Sequence, residues 1–294
     1  MDLVLAPTAQ KRGKVVLMSN NFLAPEEIAA VAAKSGEDKA KYSVVKLLVL
    51  GFLAGAFIAL GALFDIRVTA SIPAQWVSIK NLVGGAVFPV GLMLVVVAGG
   101  ELLTGNMMTL PLALHERRIR ITGLIYNWVW VLVGNLVGSL FVAYFFGVVA
   151  KMLTDTPYKE ATIAIAVSKA GLGFGPTIIS AIGCNWLVCL AVWMALGSKD
   201  IVGKLFAIWF PVMAFVAIGF QHVVANMFFI PAGIFVGAPV SWGSAIVEWI
   251  AAFIGNAIGG WLFVAFAYYV AYRRNRLKDS AAGVAEQSET GAPL

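Results

Sequence analysis

Apolar residues dominate the chain in long unbroken runs, with polar residues gathered into short stretches between them. Six such runs are visible, at about Val44–Phe64, Leu82–Leu114, Ile121–Ala150, Ile178–Leu196, Val202–Val236 and Ser244–Tyr272. A helix of roughly twenty apolar residues, rising about 1.5 Å per residue, crosses a hydrocarbon core of about 30 Å. A helix also satisfies its own backbone polar groups in lipid. The pattern therefore predicts an all-α membrane protein with six transmembrane helices. The second and fifth runs are too long for one straight span. The second carries Gly84, Gly85, Pro89, Gly99, Gly100 and Glu101, with Pro111 near its end, and the fifth carries Gly219 and Pro231. Overlong runs cut by Gly and Pro, with polar groups at membrane depth, predict that both spans are broken, which points to a transport site.

The two broken runs match each other. Sliding the sequence on itself by 120 residues aligns Gly99 with Gly219, Glu101 with Gln221, Asn106 with Asn226, Met107 with Met227 and Pro111 with Pro231. One residue further out of step, Gly134-Asn135-x-x-Gly138 meets Gly255-Asn256-x-x-Gly259. The match predicts two halves of three spans each. An odd number of crossings inverts the second half relative to the first. Inverted repeats place a site near the membrane midplane, between the breaks.

Composition agrees with this class. Of 294 residues, 61% are hydrophobic and 12% charged, where soluble domains carry about a quarter charged. The net charge of +6 does not imply a nucleic-acid partner, because the basic residues lie in tails and connections. With both ends on one side of the membrane, 16 of the 21 Lys and Arg fall on that side. This asymmetry predicts a multi-pass protein of the cell (inner) membrane with cytoplasmic termini. Residues 1–43 form a polar segment without a cleavable signal pattern. Pro25, Glu26 and Glu27 suit the first turn of a helix, and the IAAVAAK run after them predicts an amphipathic helix lying at the membrane surface. Met18 is an alternative start. The membrane domain spans 44–275, and the Ala/Gly/Glu/Ser-rich tail 276–294 is expected to be disordered. Cys184 and Cys189, five apart, do not share a helical face and read as packing residues.

His222 is the outstanding polar residue, with Gln221 beside it and Asn226 one turn on. An ionisable group at this depth is expensive and marks a functional site by default. One reading is a helix-packing histidine. The other is a neutral donor in a pore, with Asn226 fixing its tautomer. Thr104 and Asn106 can satisfy backbone groups freed by the second-span break, or face a pore. Glu101 is expected to be structural, taking N–H groups at a half-helix terminus. Lys169 is either a solvated loop lysine or a vestibule cation that concentrates anions. Phe88, Leu92, Phe215 and Phe220 are ordinary core or lipid residues unless they form a dewetting constriction. Zinc, nucleophile-elbow, phosphate-loop and paired-cysteine motifs are missing, so no enzyme, cofactor or metal is expected.

The stretches GGELLTGNMM (99–108), CNWLVCLAVW (184–193) and GFQHVVANMFFIP (219–231) resemble the signatures of the formate/nitrite transporter family. The resemblance covers about residues 19–275. It implies an aquaporin-like fold assembled as a homopentamer, with one pore per protomer. It also implies roles residue by residue. His222 is the central histidine, Thr104 the threonine that faces it, Asn226 the asparagine after it, and Lys169 the vestibule lysine. Phe88, Leu92 and Phe215 form apolar constrictions, and Glu101 stands at the acidic position of the break. The expected activity is passage of a small monovalent anion, formate first, with nitrite, hydrosulfide, acetate or lactate as alternatives. Proton symport or passage as the neutral acid is expected, and the N-terminal helix is expected to gate one mouth. The rivals are a non-transporting membrane scaffold or sensor, and a membrane enzyme.

Overall fold

The computed structural model describes residues 21–274. Met18 and the 276–294 tail lie outside the described residues. Ten helices follow in order among them: α1 (Pro25–Lys39), α2 (Val44–Thr69), α3 (Ala74–Gly99), α4 (Leu103–His115), α5 (Ile121–Val149), α6 (Tyr158–Ala170), α7 (Phe174–Gly197), α8 (Ile201–Ile218), α9 (Val223–Phe235) and α10 (Trp242–Arg273). Six of these, α2, α3, α5, α7, α8 and α10, are long and apolar enough to cross a membrane. Several start where the sequence supplies a cap. Ser43 accepts from the Lys46 N–H, Asp200 from Gly203 and Ser241 from Ser244, satisfying donors that the first helical turn leaves unpaired.

Lipid gives helices no hydrophobic reason to associate, so close packing of small residues holds the bundle. α2 lies along α5, and α7 along α10. At the first contact, a Cβ added to Gly138 would strike the Phe52 carbonyl; at the second, one added to Gly259 would strike that of Ile182. The two contacts match because the fold is built twice. α1–α5 and α6–α10 follow the same order, with α1 packed on α4 as α6 is packed on α9. The repeat is thus a five-helix unit with three spanning helices, so the second unit begins on the opposite face and runs inverted.

Two elements differ from the sequence reading. The apolar stripe of α1 packs on the helix bundle instead of facing lipid. Ala29, Ala32 and Ala33 are fully buried, and Gly36 sits against the Thr109 carbonyl of α4. Its apolar stripe is alanine and glycine, which suits close helix packing better than insertion among lipid chains. Lys169 is not in a loop either, because α6 carries it in its last turn.

Candidate functional site

α3 and α8 each leave helical geometry through a glycine in the left-handed region, Gly99 at φ +93° and Gly219 at φ +88°. Other residues rarely adopt this region. Extended backbone follows at 100–102 and 220–222, and helix resumes at Leu103 and Val223. Such backbone, inside the bundle, needs partners for its N–H and C=O groups. At each break one asparagine makes three backbone hydrogen bonds. Asn135 Oδ1 accepts from the Leu103 N–H at 2.9 Å, and its Nδ2 donates to the carbonyls of Gly51 and Glu101, both at 2.8 Å. Asn256 Oδ1 accepts from the Val223 N–H at 2.9 Å, and its Nδ2 donates to Ala181 at 2.8 Å and Gln221 at 3.0 Å. The sequence signals these residues only as repeat matches.

The acceptor for the Leu103 N–H is thus Asn135 of α5 and not Glu101. Its carboxylate instead receives Asn106 Nδ2 at 2.8 Å and lies 3.1 Å from Lys39 Nζ. Lys39 also donates to Asn106 Oδ1 at 2.8 Å, and Asn106 Nδ2 reaches Asn127 at 2.9 Å. A second cluster stands at the other break. Lys169 Nζ donates to Gln221 Oε1 at 3.1 Å, while Asn226 Nδ2 donates to Gln221 Oε1 at 2.8 Å and to Glu248 Oε1. Lys39, Asn127 and Glu248 escape a reading of the sequence based on the 120-residue offset. A 130-residue offset pairs Lys39 with Lys169.

His222 caps α9. Its Nδ1 accepts the Ala225 N–H at 3.1 Å, and its Nε2 lies 2.8 Å from Thr104 Oγ1. A backbone N–H can only donate, so Nδ1 holds a lone pair and the neutral ring carries its proton on Nε2. The Nε2–H donates to Thr104, which leaves the threonine hydroxyl proton free to donate elsewhere. Asn226 does not set this tautomer, because its amide is spent on Gln221 and Glu248. The Phe215 ring lies over His222 at 5.9 Å between centroids, and meets Phe88 edge to face at the same distance.

Three cavities follow one another past this group. One of about 180 Å³ is lined by Lys169, Lys80, Asp65, Phe88, Phe215 and His222, among others. A central cavity of about 10 Å³ is lined by Phe88, Phe215, His222, Leu92, Leu102 and Val188, with Ile58 and Val212. A third of about 340 Å³ contains Leu92, Leu102, Lys39, Lys46 and Glu101. Phe88 and Phe215 are shared by the first two, Leu92 and Leu102 by the last two. Phe88, Leu92 and Phe215 thus divide the cavities, and Leu102 joins them from the break itself. The centre has room for about one water-sized species. Thr104 and Asn226 are fully buried and do not line these three cavities.

Beyond the Lys39 cavity the surface is dense in charge. Glu37 takes the Lys41 ammonium at 2.6 Å and lies near Lys34 and Arg118. The hydrogen bond from Lys41, then the nearby charges of Lys34, Lys41 and Arg118, hold the Glu37 carboxyl below its ordinary range. Arg273 pairs with Glu116, which also pairs with Arg118, tying α10 to α4. Among the described residues no three His, Cys, Asp or Glu side chains gather as a metal site.

The arrangement has counterparts among known proteins. The family model described as formate/nitrite transporter matches residues 26–270. A Bacillus subtilis protein titled "Uncharacterized transporter YrhG" is 56% identical over 86% of this chain and 95% of its own length. "Formate channel BtFdhC" of Bacillus thuringiensis is 52% identical over 86% of this chain and 97% of its own. A solved structure titled "Pentameric formate channel with formate bound" superposes with a TM-score of 0.70 at 28% identity, covering 78% of this chain and 97% of that one.

Proposed function

The chain belongs to the formate/nitrite transporter family, and on that premise we propose that it is a membrane channel that passes formate through a pore in each protomer of a homopentamer. The single observation that carries the pore assignment is the central cavity of about 10 Å³ at His222, closed by Phe88 and Phe215 on one side and Leu92 and Leu102 on the other. The rings must part for any acid to pass, and less for a one-carbon acid than for lactate. The relatives titled formate channels favour the same substrate.

Formate is ionised in neutral water, and a bare carboxylate moved into an apolar constriction costs far more than a neutral acid. Lys169 on one side and Lys39 on the other raise the local anion concentration. The anion combines with a proton from the bulk hydronium pool as it leaves the vestibule, which releases water, and crosses the rings as formic acid. His222 lines the centre and holds the Thr104 oxygen through Nε2–H behind it, so that the free threonine hydroxyl proton can donate to the passing acid once the rings part. Each passage thus carries one anion and one proton. His222 orients the threonine and keeps one protonation state throughout.

The basic residues Lys34, Lys39, Lys41, Lys46, Arg117, Arg118, Arg120, Lys199, Lys204, Arg273 and Arg274 gather on the Lys39 side, and this charge asymmetry supports reading that side as cytoplasmic. α1 contributes Ser35 and Lys39 to that mouth and is positioned to gate it. Deletion of residues 1–40 should change the pH–flux curve, and an unchanged curve would remove the gating role.

The test is stopped-flow uptake in proteoliposomes, comparing formate, nitrite, hydrosulfide and lactate at two pH values. Formate flux that exceeds the others and rises as pH falls is expected. A preference for nitrite or hydrosulfide would keep the pore and change its substrate. No flux of any of them would refute the reading.

A further inference from the structure

The two halves each contain one lysine and one carboxylate beside a break, but the carboxylates stand in different places. On the Lys39 side it is Glu101, in the break itself and 3.1 Å from the ammonium. The matching break residue on the other side is Gln221, which is neutral. There the carboxylate is Glu248 of α10, at the position where α5 has Asn127. The two halves have exchanged a carboxylate for an amide at both positions.

Glu248 does not touch Lys169. It reaches the lysine through two amides: Glu248 Oε1 accepts from Asn226 Nδ2, the same NH₂ donates to Gln221 Oε1 at 2.8 Å, and that oxygen accepts from Lys169 Nζ at 3.1 Å. Glu248 is 4% exposed, and its Oε2 has no hydrogen-bond partner among the described side chains and backbone. A carboxylate this deep needs a compensating charge. Lys169 and Glu248 interact electrostatically, and Lys169 also feels Asp65 across its cavity. Asp65 in turn faces Lys80 and so has a second cation.

We infer that Glu248 is the positioning counter-charge of Lys169. Through Asn226 and Gln221 it fixes the ammonium at the cavity wall and sets how strongly that cavity draws an anion. A direct contact, as on the Lys39 side, occupies the ammonium with a charged partner. The amide relay occupies one of its three N–H donors with a neutral oxygen and leaves the others for the entering anion. The inference deepens the functional reading above, and its flux arm rests on that reading.

Two measurements test it. In formate uptake from the Lys169 side, Glu248→Gln should lower KM roughly tenfold, because the ammonium loses its compensating charge. Gln221→Glu/Glu248→Gln, which rebuilds the Lys39-side arrangement, should return KM to wild type or above. An unchanged KM in Glu248→Gln, or a double variant that behaves like it, would overturn the inference. The second measurement needs no transport: thermal midpoints of the purified assembly for Lys169→Met, Glu248→Gln and the pair. The pair should lose less than the sum of the singles, since it leaves no buried charge alone. Additive losses would overturn the inference. Wild-type protein without formate flux would refute the functional reading, and this cycle would still decide the role of Glu248.

Discussion

Asn256→Ala removes the residue on which the second break hangs. Three hydrogen bonds go with it, from the Val223 N–H and to the carbonyls of Ala181 and Gln221. Each is worth about 1 kcal/mol net. The Val223 N–H, first in α9, has no carbonyl one turn back to replace the amide, and a buried unpaired donor costs a further 1–3 kcal/mol, about. The expected loss is about 4–6 kcal/mol by this arithmetic, with formate flux reduced because His222 sits one residue before the freed N–H. Asn135→Ala, with three matching bonds, should lose a similar amount. Asn256→Asp keeps the shape and the acceptor but turns lone pairs toward two carbonyls, so it should be no better than alanine. The assay is reversible unfolding of the reconstituted protein by a denaturing detergent, read beside flux. A loss below about 1 kcal/mol, less than one net hydrogen bond, with full flux would refute the pinning argument.

Gly138→Ala and Gly259→Ala each push a methyl into a facing carbonyl and should each cost about 1–3 kcal/mol, measured in the same unfolding assay. Lys39→Met leaves the Glu101 carboxylate buried without its cation and should cost about 3–5 kcal/mol; adding Glu101→Gln should recover much of it, and no recovery would mean the pair is not coupled. Glu37 titrates below its ordinary range in the folded protein, so its contribution to seating α1 is full above the unfolded carboxylate value. It is lost as pH falls through the lowered one. Protection of the α1 amides, with the intrinsic pH dependence of exchange divided out, should therefore fall at acid pH in wild type, and this acid-dependent part should vanish in Glu37→Gln.

Much of the architecture was legible because lipid leaves few options. A run such as Val202–Val236 has to be helical, and Gly219 and Pro231 mark the places where one helix cannot continue. The repeat was legible because Gly99 and Gly219 both need a left-handed backbone and Asn135 and Asn256 both serve a freed N–H. α6 was missed because its apolar run is short and lies beside the glycines of 171–175. The packing of α1 on the bundle was not legible because alanine reads as weakly apolar, while its small size is what admits the helix to close contact. In the site, His222 stood out by its cost. Asn226 did not hold its tautomer, because the helix start at Val223 brings the Ala225 N–H to Nδ1 first, a three-residue relation set by backbone geometry. Glu248 and Lys39 were illegible for another reason. Their partners lie 22 to 67 residues away, and only the folded bundle brings them to the breaks.

The central claim is that formate crosses at His222 and Thr104 as the neutral acid. The most direct measurement is formate-driven proton uptake into proteoliposomes, followed by an internal pH dye, for wild type, Thr104→Val and His222→Phe. One proton per formate in wild type, with uptake rising as pH falls and both variants slowed, is the expected result. Formate entry that moves charge and no proton, or an unchanged rate and pH profile in His222→Phe, would contradict the account.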